Sequence, residues 1–268
     1  MYKTLSAIAL MTVAASGTVA SATAPATMEV LSADRELFVI ACGFDYEFDD
    51  CAGERESSDA ISGFYDNEIT ADLNDYYGGD IADADGQIYS NITDNRIELE
   101  YFADSSVTDT NIYSADASVY GDTDIEFEVL DDVRVVFEGY AEGYTQSYFT
   151  ASASLREVGG PTLASFAVQG AGDDDAEFTG WLYAGTYSVS ADFDSTAMAH
   201  IPSAGELSLS FRVYHKTDFN TDGNIDRTDR DTFIAQYRAR TAAADYNGDG
   251  VTNRADRVSF IADWRAAK

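Results

Sequence analysis

Glu206-Leu207-Ser208-Leu209-Ser210-Phe211-Arg212-Val213-Tyr214-His215 alternates between apolar and polar side chains almost without a break. Side chains of an extended chain point to opposite faces in turn, so Leu207, Leu209, Phe211 and Val213 share one face. The stretch therefore reads as a strand with one face in a core and the other in water. The same period of two recurs in residues 36–42, 95–102, 132–139 and 147–157, and in residues 186–193, where Tyr187, Val189, Ala191 and Phe193 align. Segments rich in Gly, Asp, Asn and Ser lie between these runs and supply turn geometry. Residues 178–189 are expected to form a hairpin turning at Ala184-Gly185. Many short strands at near-regular spacing predict a mainly β chain, an antiparallel β-sandwich of jelly-roll-like form over residues 23–216.

After Lys216 the pattern changes to helical periodicity broken by Asp and Asn loops, and the domain boundary is placed there, with residues 217–268 as a second, all-α unit. Asp218, Asn220, Asp222, Asn224, Asp226 and Asp229 occupy positions 1, 3, 5, 7, 9 and 12 of a twelve-residue loop with Gly223 at position 6. Asp245, Asn247, Asp249, Val251, Asn253 and Asp256 repeat the frame around Gly250. Calcium takes six to eight hard oxygens, and this spacing wraps a chain around one ion. The side chains at positions 1, 3, 5 and 12 are expected to coordinate directly. Asn224 and Val251 offer their carbonyls, and Asp226 and Asn253 act through water. Two Ca2+ ions are therefore expected. The alternative is a loop closed by Asx turns without metal, which duplication makes the weaker reading. Each loop leads into the same helical pattern, Phe233-Ile234 with Tyr237 and Phe260-Ile261 with Trp264, and neither short helix could bury that face alone.

On these residues the tail resembles a dockerin, a pair of D-x-N-x-D-G-x-x-[ND]-x-x-D calcium loops each followed by a helix. The resemblance covers the whole C-terminal unit. It implies an EF-hand-type module with the ten side-chain ligands above and, as partner, a cohesin-like protein or cell-surface scaffold. Arg227-Thr228 and Arg254-Ala255 stand where cellulosomal members often carry Ser-Thr, so a cellulosomal cohesin is not what it specifies. Leu182, Gly185 and Tyr187 also resemble the L-x-x-G-x-Y strand-turn-strand of exported bacterial sandwich modules, some of them carbohydrate-associated.

Lys3, the apolar residues 5–13 and Ala20-Ser21-Ala22 have the order of a secretory signal, assigning residues 1–22 to a signal peptide and the protein to the cell exterior or surface. No second long apolar run follows, so no membrane span is expected in the mature chain. In an oxidising compartment the two cysteines, Cys42 and Cys51, are expected to pair.

The net charge of −32 is unevenly placed. From Asp218 onward eight basic residues nearly balance nine acidic ones, leaving 8 of the 16 basic and 39 of the 48 acidic residues ahead of it. That front part repels nucleic acid and anionic membranes; divalent cations and neutral polymers such as polysaccharide suit it better.

Catalytic signatures are missing: there is no GxSxG, no HExxH, no glycine-rich phosphate loop, and the only histidines are His200 and His215. Two suitably spaced carboxylates would suffice for hydrolysis of O-glycosyl bonds; the run Asp45-Tyr46-Glu47-Phe48-Asp49-Asp50 could supply a pair or a third calcium site, with a solvated acidic loop as the favoured reading. Aromatic faces, the tyrosines with Trp181, could stack on sugar rings, although filling the core and cross-strand pairs is the stronger reading. The leading expectation is a secreted, non-catalytic sandwich docked or stabilised through its calcium-binding tail in a polysaccharide-associated assembly. The alternatives are a glycoside hydrolase or carbohydrate-binding protein, and a calcium-crosslinked surface or matrix protein.

Overall fold

The computed structural model describes residues 28–44, 49–74, 80–107, 114–144, 148–198 and 201–267. The signal-peptide assignment, His200 and residues 45–48 of the acidic run lie outside them. Among the described residues twelve strands form two antiparallel six-stranded sheets packed face to face. The first sheet runs β2 (Asp49–Ser58), β1 (Met28–Phe44), β6 (Ser114–Val129), β11 (Gly185–Met198), β8 (Tyr148–Glu157), β9 (Thr162–Gln169). The second runs β10 (Gly172–Leu182), β7 (Val133–Gly143), β12 (Ser203–His215), β5 (Arg96–Val107), β4 (Asp80–Thr93), β3 (Gly63–Asn74).

Period-two alternation translates directly into burial. Leu207, Leu209, Phe211 and Val213 of β12 are all buried, as are Tyr187, Val189, Ala191 and Phe193 of β11. Inward positions alternate small and large residues, which lets the faces interdigitate. Gly121 lies under the ring of Tyr101, and Gly139 under that of Phe166; a β-carbon at either position would collide with the ring. One inward residue is charged. Arg35 of β1 is fully buried and bridges the sheets, donating from Nη1 to Ser90 Oγ at 2.7 Å and from Nη2 to Ser58 Oγ and the Ala60 carbonyl.

The expected hairpin at Ala184-Gly185 does not form. β10 pairs with β7 in one sheet, whereas β11 lies between β6 and β8 in the other. The turn after Leu182 is a crossover, because each strand finds its apolar partners in a different sheet. At the neighbouring edge Asp174 of β10 reaches over the gap, its carboxylate accepting the Ala167 backbone N–H of β9 at 2.8 Å. Cys42 and Cys51 are directly opposite in the β1–β2 pair and form a disulfide.

The C-terminal segment holds two helices, α1 (Arg227–Ala239) and α2 (Arg254–Ala266), with a 3-10 turn at Ala242–Ala244 between them. Among the described residues no helix is long and apolar enough to cross a membrane.

Candidate functional site

The two acidic loops have the same internal geometry. In the first, Asp218 accepts the backbone N–H groups of Asp222 at 3.2 Å and Gly223 at 2.8 Å. Asn220 Nδ2 donates to Asp222 Oδ2 at 2.7 Å, and Asp222 Oδ1 accepts the Asn224 N–H at 2.8 Å. In the second, Asp245 accepts from Asp249 at 3.2 Å and Gly250 at 2.7 Å, Asn247 donates to Asp249 at 3.0 Å, and Asp249 accepts from Val251 at 2.9 Å. Gly223 and Gly250 both adopt φ of +83°, a left-handed turn that glycine enters at little cost. The chain thus curls through six residues with its carboxylate and amide oxygens turned toward the inside of the curl.

Position 12 closes each loop from below. Asp229 Oδ1 accepts the N–H groups of Phe219 and Asn220, and Oδ2 that of Asp226; Asp256 does the same for Tyr246, Asn247 and Asn253. Asp226 and Asn253, expected to act through water, are the N-caps of α1 and α2, accepting from Thr228 and Ala255 in reciprocal capping boxes with Asp229 and Asp256. The Val251 carbonyl accepts from Asn253 Nδ2 at 2.9 Å, and Asn224 is exposed.

Three of these carboxylates are deeply buried: Asp218 at 2% exposure, Asp229 and Asp256 at 0%. Among the described residues no basic side chain is hydrogen-bonded to any of the three, whose partners are backbone N–H groups. Burial pushes the Asp218 carboxyl up to about 6; the Gly223 N–H opposes the rise, and the neighbouring Asp229 and Asp222 charges add to it. A buried negative charge is costly unless paired, and a hard cation would meet the need. The donor set fits such an ion, being all oxygen. Among the described residues no three Asp, Glu, His or Cys side chains converge as a finished metal centre. An ion held here would therefore draw on the Asn amide oxygens and backbone carbonyls as well.

Behind the loops sits an aromatic cluster of Phe219, Phe233, Tyr246 and Phe260 with Ala244. Phe233 and Phe260 stack across the two helices. Trp181 of β10 closes the cluster from the sandwich side, edge-on to Phe219 at 6.5 Å and to Tyr246 at 5.7 Å. Arg134 of β7, opposite Trp181 in register, lies 4.3 Å from the Phe219 ring and 5.2 Å from the Trp181 ring. Lys216 pairs with Asp263 of α2 at 2.8 Å, and Asp263 also accepts from the Tyr246 hydroxyl. Trp181 is therefore half-buried in this packing. His215 likewise shapes the connection, its Nδ1 accepting the Thr217 N–H at 3.2 Å.

Two other surfaces stand out. On the outer face of the second sheet, cross-strand rows mix aromatic rings with polar groups. One runs Asp175, Tyr140, Ser208, Glu100, Tyr89, Asp66; the next runs Asp173, Glu142, Glu206, Phe102, Gln87, Glu68. The Tyr140 hydroxyl donates to Glu142 at 2.5 Å, and Phe102 and Phe64 are exposed. On the outer face of the first sheet, Asp34 faces Asp124, and Glu36, Asp122 and Asp192 share one row. Arg55 pairs with Glu36 at its edge. A shallow groove of about 350 Å3 beside it is lined by Ser152, Ser154, Ser165, Ser190, Asp174 and Asp192.

The chain matches no protein-family model and no curated protein sequence. Among solved structures, a TmCBM61 module in complex with β-1,4-galactotriose is similar over 57% of this chain and 88% of its own, at 10% identity and a TM-score of 0.23. The enzymatically active domain of bacteriophage CBA120 tailspike protein 4 matches over 57% and 20%, at 12% identity and a TM-score of 0.21. Likeness of that size says nothing about what this chain binds.

These findings correct the dockerin expectation and, with it, the EF-hand module and the cohesin-like partner. No family matches the tail, and the structure is a mainly β chain ending in two short helices. The physical reason lies in the packing: the helices bury their aromatic faces against each other and against Trp181 and Arg134 of the chain's own sandwich. Loop spacing is a local property and does not by itself establish a family. Arg134 was invisible to sequence reading, since an Arg on the outward side of a strand gives no sign that a distant segment will cover it.

Proposed function

We propose that this is an exported, non-catalytic β-sandwich protein whose C-terminal loops each take up one calcium ion and so hold the tail folded against the sandwich. The observation that carries this reading is the duplicated curl of oxygen donors over buried carboxylates that lack a hydrogen-bonded basic partner. In the first loop Asp218, Asn220, Asp222 and Asp229 would hold the ion with the Asn224 carbonyl; in the second, Asp245, Asn247, Asp249 and Asp256 with that of Val251. Bound calcium would add charge that no hydrogen-bonded base supplies to these carboxylates, and binding energy would become folding energy. Calorimetric titration of the full chain is expected to give two calcium ions per molecule, Asp218→Asn and Asp245→Asn each removing one. Failure of the parent protein to bind calcium at millimolar concentration overturns the reading.

A second reading, carbohydrate binding, is favoured by the rows on the outer face of the second sheet. Tyr140, Tyr89 and Phe102 offer apolar rings among carboxylates and hydroxyls, a combination suited to a neutral polyhydroxyl chain. Affinity electrophoresis on a panel of neutral polysaccharides tests it, with retardation lost in Tyr140→Ala and Phe102→Ala. Release of reducing sugar in the same panel would instead point to a hydrolase.

A further inference from the structure

Among the described residues each loop has a cation over the aromatic ring that follows its first aspartate, but the two differ in burial: Arg134 over Phe219 is deeply buried, whereas Lys216, 5.8 Å from the Tyr246 ring, has a side chain 37% exposed and already paired with Asp263. Arg134 is only 4% exposed, and its Nε and Nη1 have no hydrogen-bond partner. Its guanidinium is held over the ring of Phe219, the residue next to Asp218, and beside Trp181. Burial lowers its pKa, while the charges of Asp218 and Asp229 work against that lowering. An arginine keeps its proton in such a place, so a fixed positive charge stands behind the loop. The second loop differs: Arg240, which lines the shallow cavity beside Asp245, is exposed and screened by solvent.

We infer that Arg134 is a resident counter-cation of the first loop, one that lowers this loop's affinity for a divalent ion below what its own ligands would give. The inference rests on the calcium reading above. The direct ligands carry equal charge, three carboxylates in each loop, but the first loop also has the Asp226 carboxylate at the N-cap of α1, so on charge alone it should bind more tightly. Arg134 offsets that difference, because a dication entering the first loop must approach a charge of its own sign in a poorly screened setting. The same guanidinium keeps Phe219 seated on the sandwich when no divalent ion is bound. Arg134 is thus a positioning and affinity-setting residue, not a ligand.

The test is a calcium titration of the full chain, followed by calorimetry and by sensitised terbium luminescence. Asp245→Asn leaves only the first loop competent, and Asp218→Asn only the second. In the first background Arg134→Met and Arg134→Gln, which remove the charge with different packing, are both expected to raise calcium affinity about tenfold, while Arg134→Lys stays within about twofold of the parent. In the second background none of the three should change affinity. First-loop affinity unchanged or weakened in both neutral variants, or both loops shifted equally, overturns the inference and leaves the calcium reading standing. No calcium binding in either parent background overturns both.

Discussion

The rings of Phe233 and Phe260 lie face to face, 3.9 Å between centroids and 12° between planes, and both are fully buried. They join α1 to α2 at the centre of the tail's cluster. Phe260→Ala should destabilise the tail by about 3 to 5 kcal/mol, enough to melt so small a cluster at room temperature. Near-ultraviolet circular dichroism of the aromatic side chains would show the loss; an intact signal would argue against it.

Chelation should separate the tail from the sandwich. The only two tryptophans are Trp264 of α2 and Trp181 of the sandwich strand β10, and both pack against the tail's aromatic cluster, so their fluorescence responds when that cluster comes apart. EDTA is expected to shift their emission to the red and to lower a first thermal transition, leaving a second, sandwich transition in place. Identical melting with and without EDTA would refute this.

The acidic face should make the sandwich more stable as pH falls through the carboxylate range. Burial first, then the charges of Asp192, Asp124, Asp34 and Glu36, hold the Asp122 carboxyl above its usual range. The folded state therefore binds that proton more tightly than the unfolded one. Stability from this group is fully present below the unfolded value near pH ~4 and is lost as pH rises through the higher folded value. Asp122→Asn is expected to gain about 0.5 kcal/mol at pH ~7 and nothing at pH ~3.5, as read by urea denaturation. A loss of stability at neutral pH would sink the argument.

Arg35 offers the opposite case, a charge the core depends on. Truncation in Arg35→Ala would strand Ser90 and the Ala60 carbonyl and leave a void, costing about 3 kcal/mol or more. The urea midpoint should fall with the slope unchanged, and the calcium stoichiometry should not change.

Much of this was readable locally. Strand faces follow parity, and parity even marks Arg35, which falls in step with Ala33 and Leu37 on the inward side of β1. The twelve-residue loops are equally local, since their geometry closes within their own span. What parity cannot tell is which sheet a strand joins: Tyr187 and Leu182 are both buried, yet the chain crosses the sandwich between them. The burial of Arg134 and Trp181 is long-range for the same reason, decided by segments more than thirty residues away along the chain. The family resemblance failed where local spacing was asked to stand for a whole module.

The seam where Asp174 takes the Ala167 N–H has a bearing on how the protein behaves in a crowded solution. β9 ends its sheet, and an edge strand with open N–H groups invites a second molecule to add a strand. Here one such donor is already satisfied from within the same chain, by a carboxylate flanked by Asp173 and Asp175. An approaching neighbour meets like charge and an occupied donor. That border of the sandwich is in this way guarded against stacking into fibres.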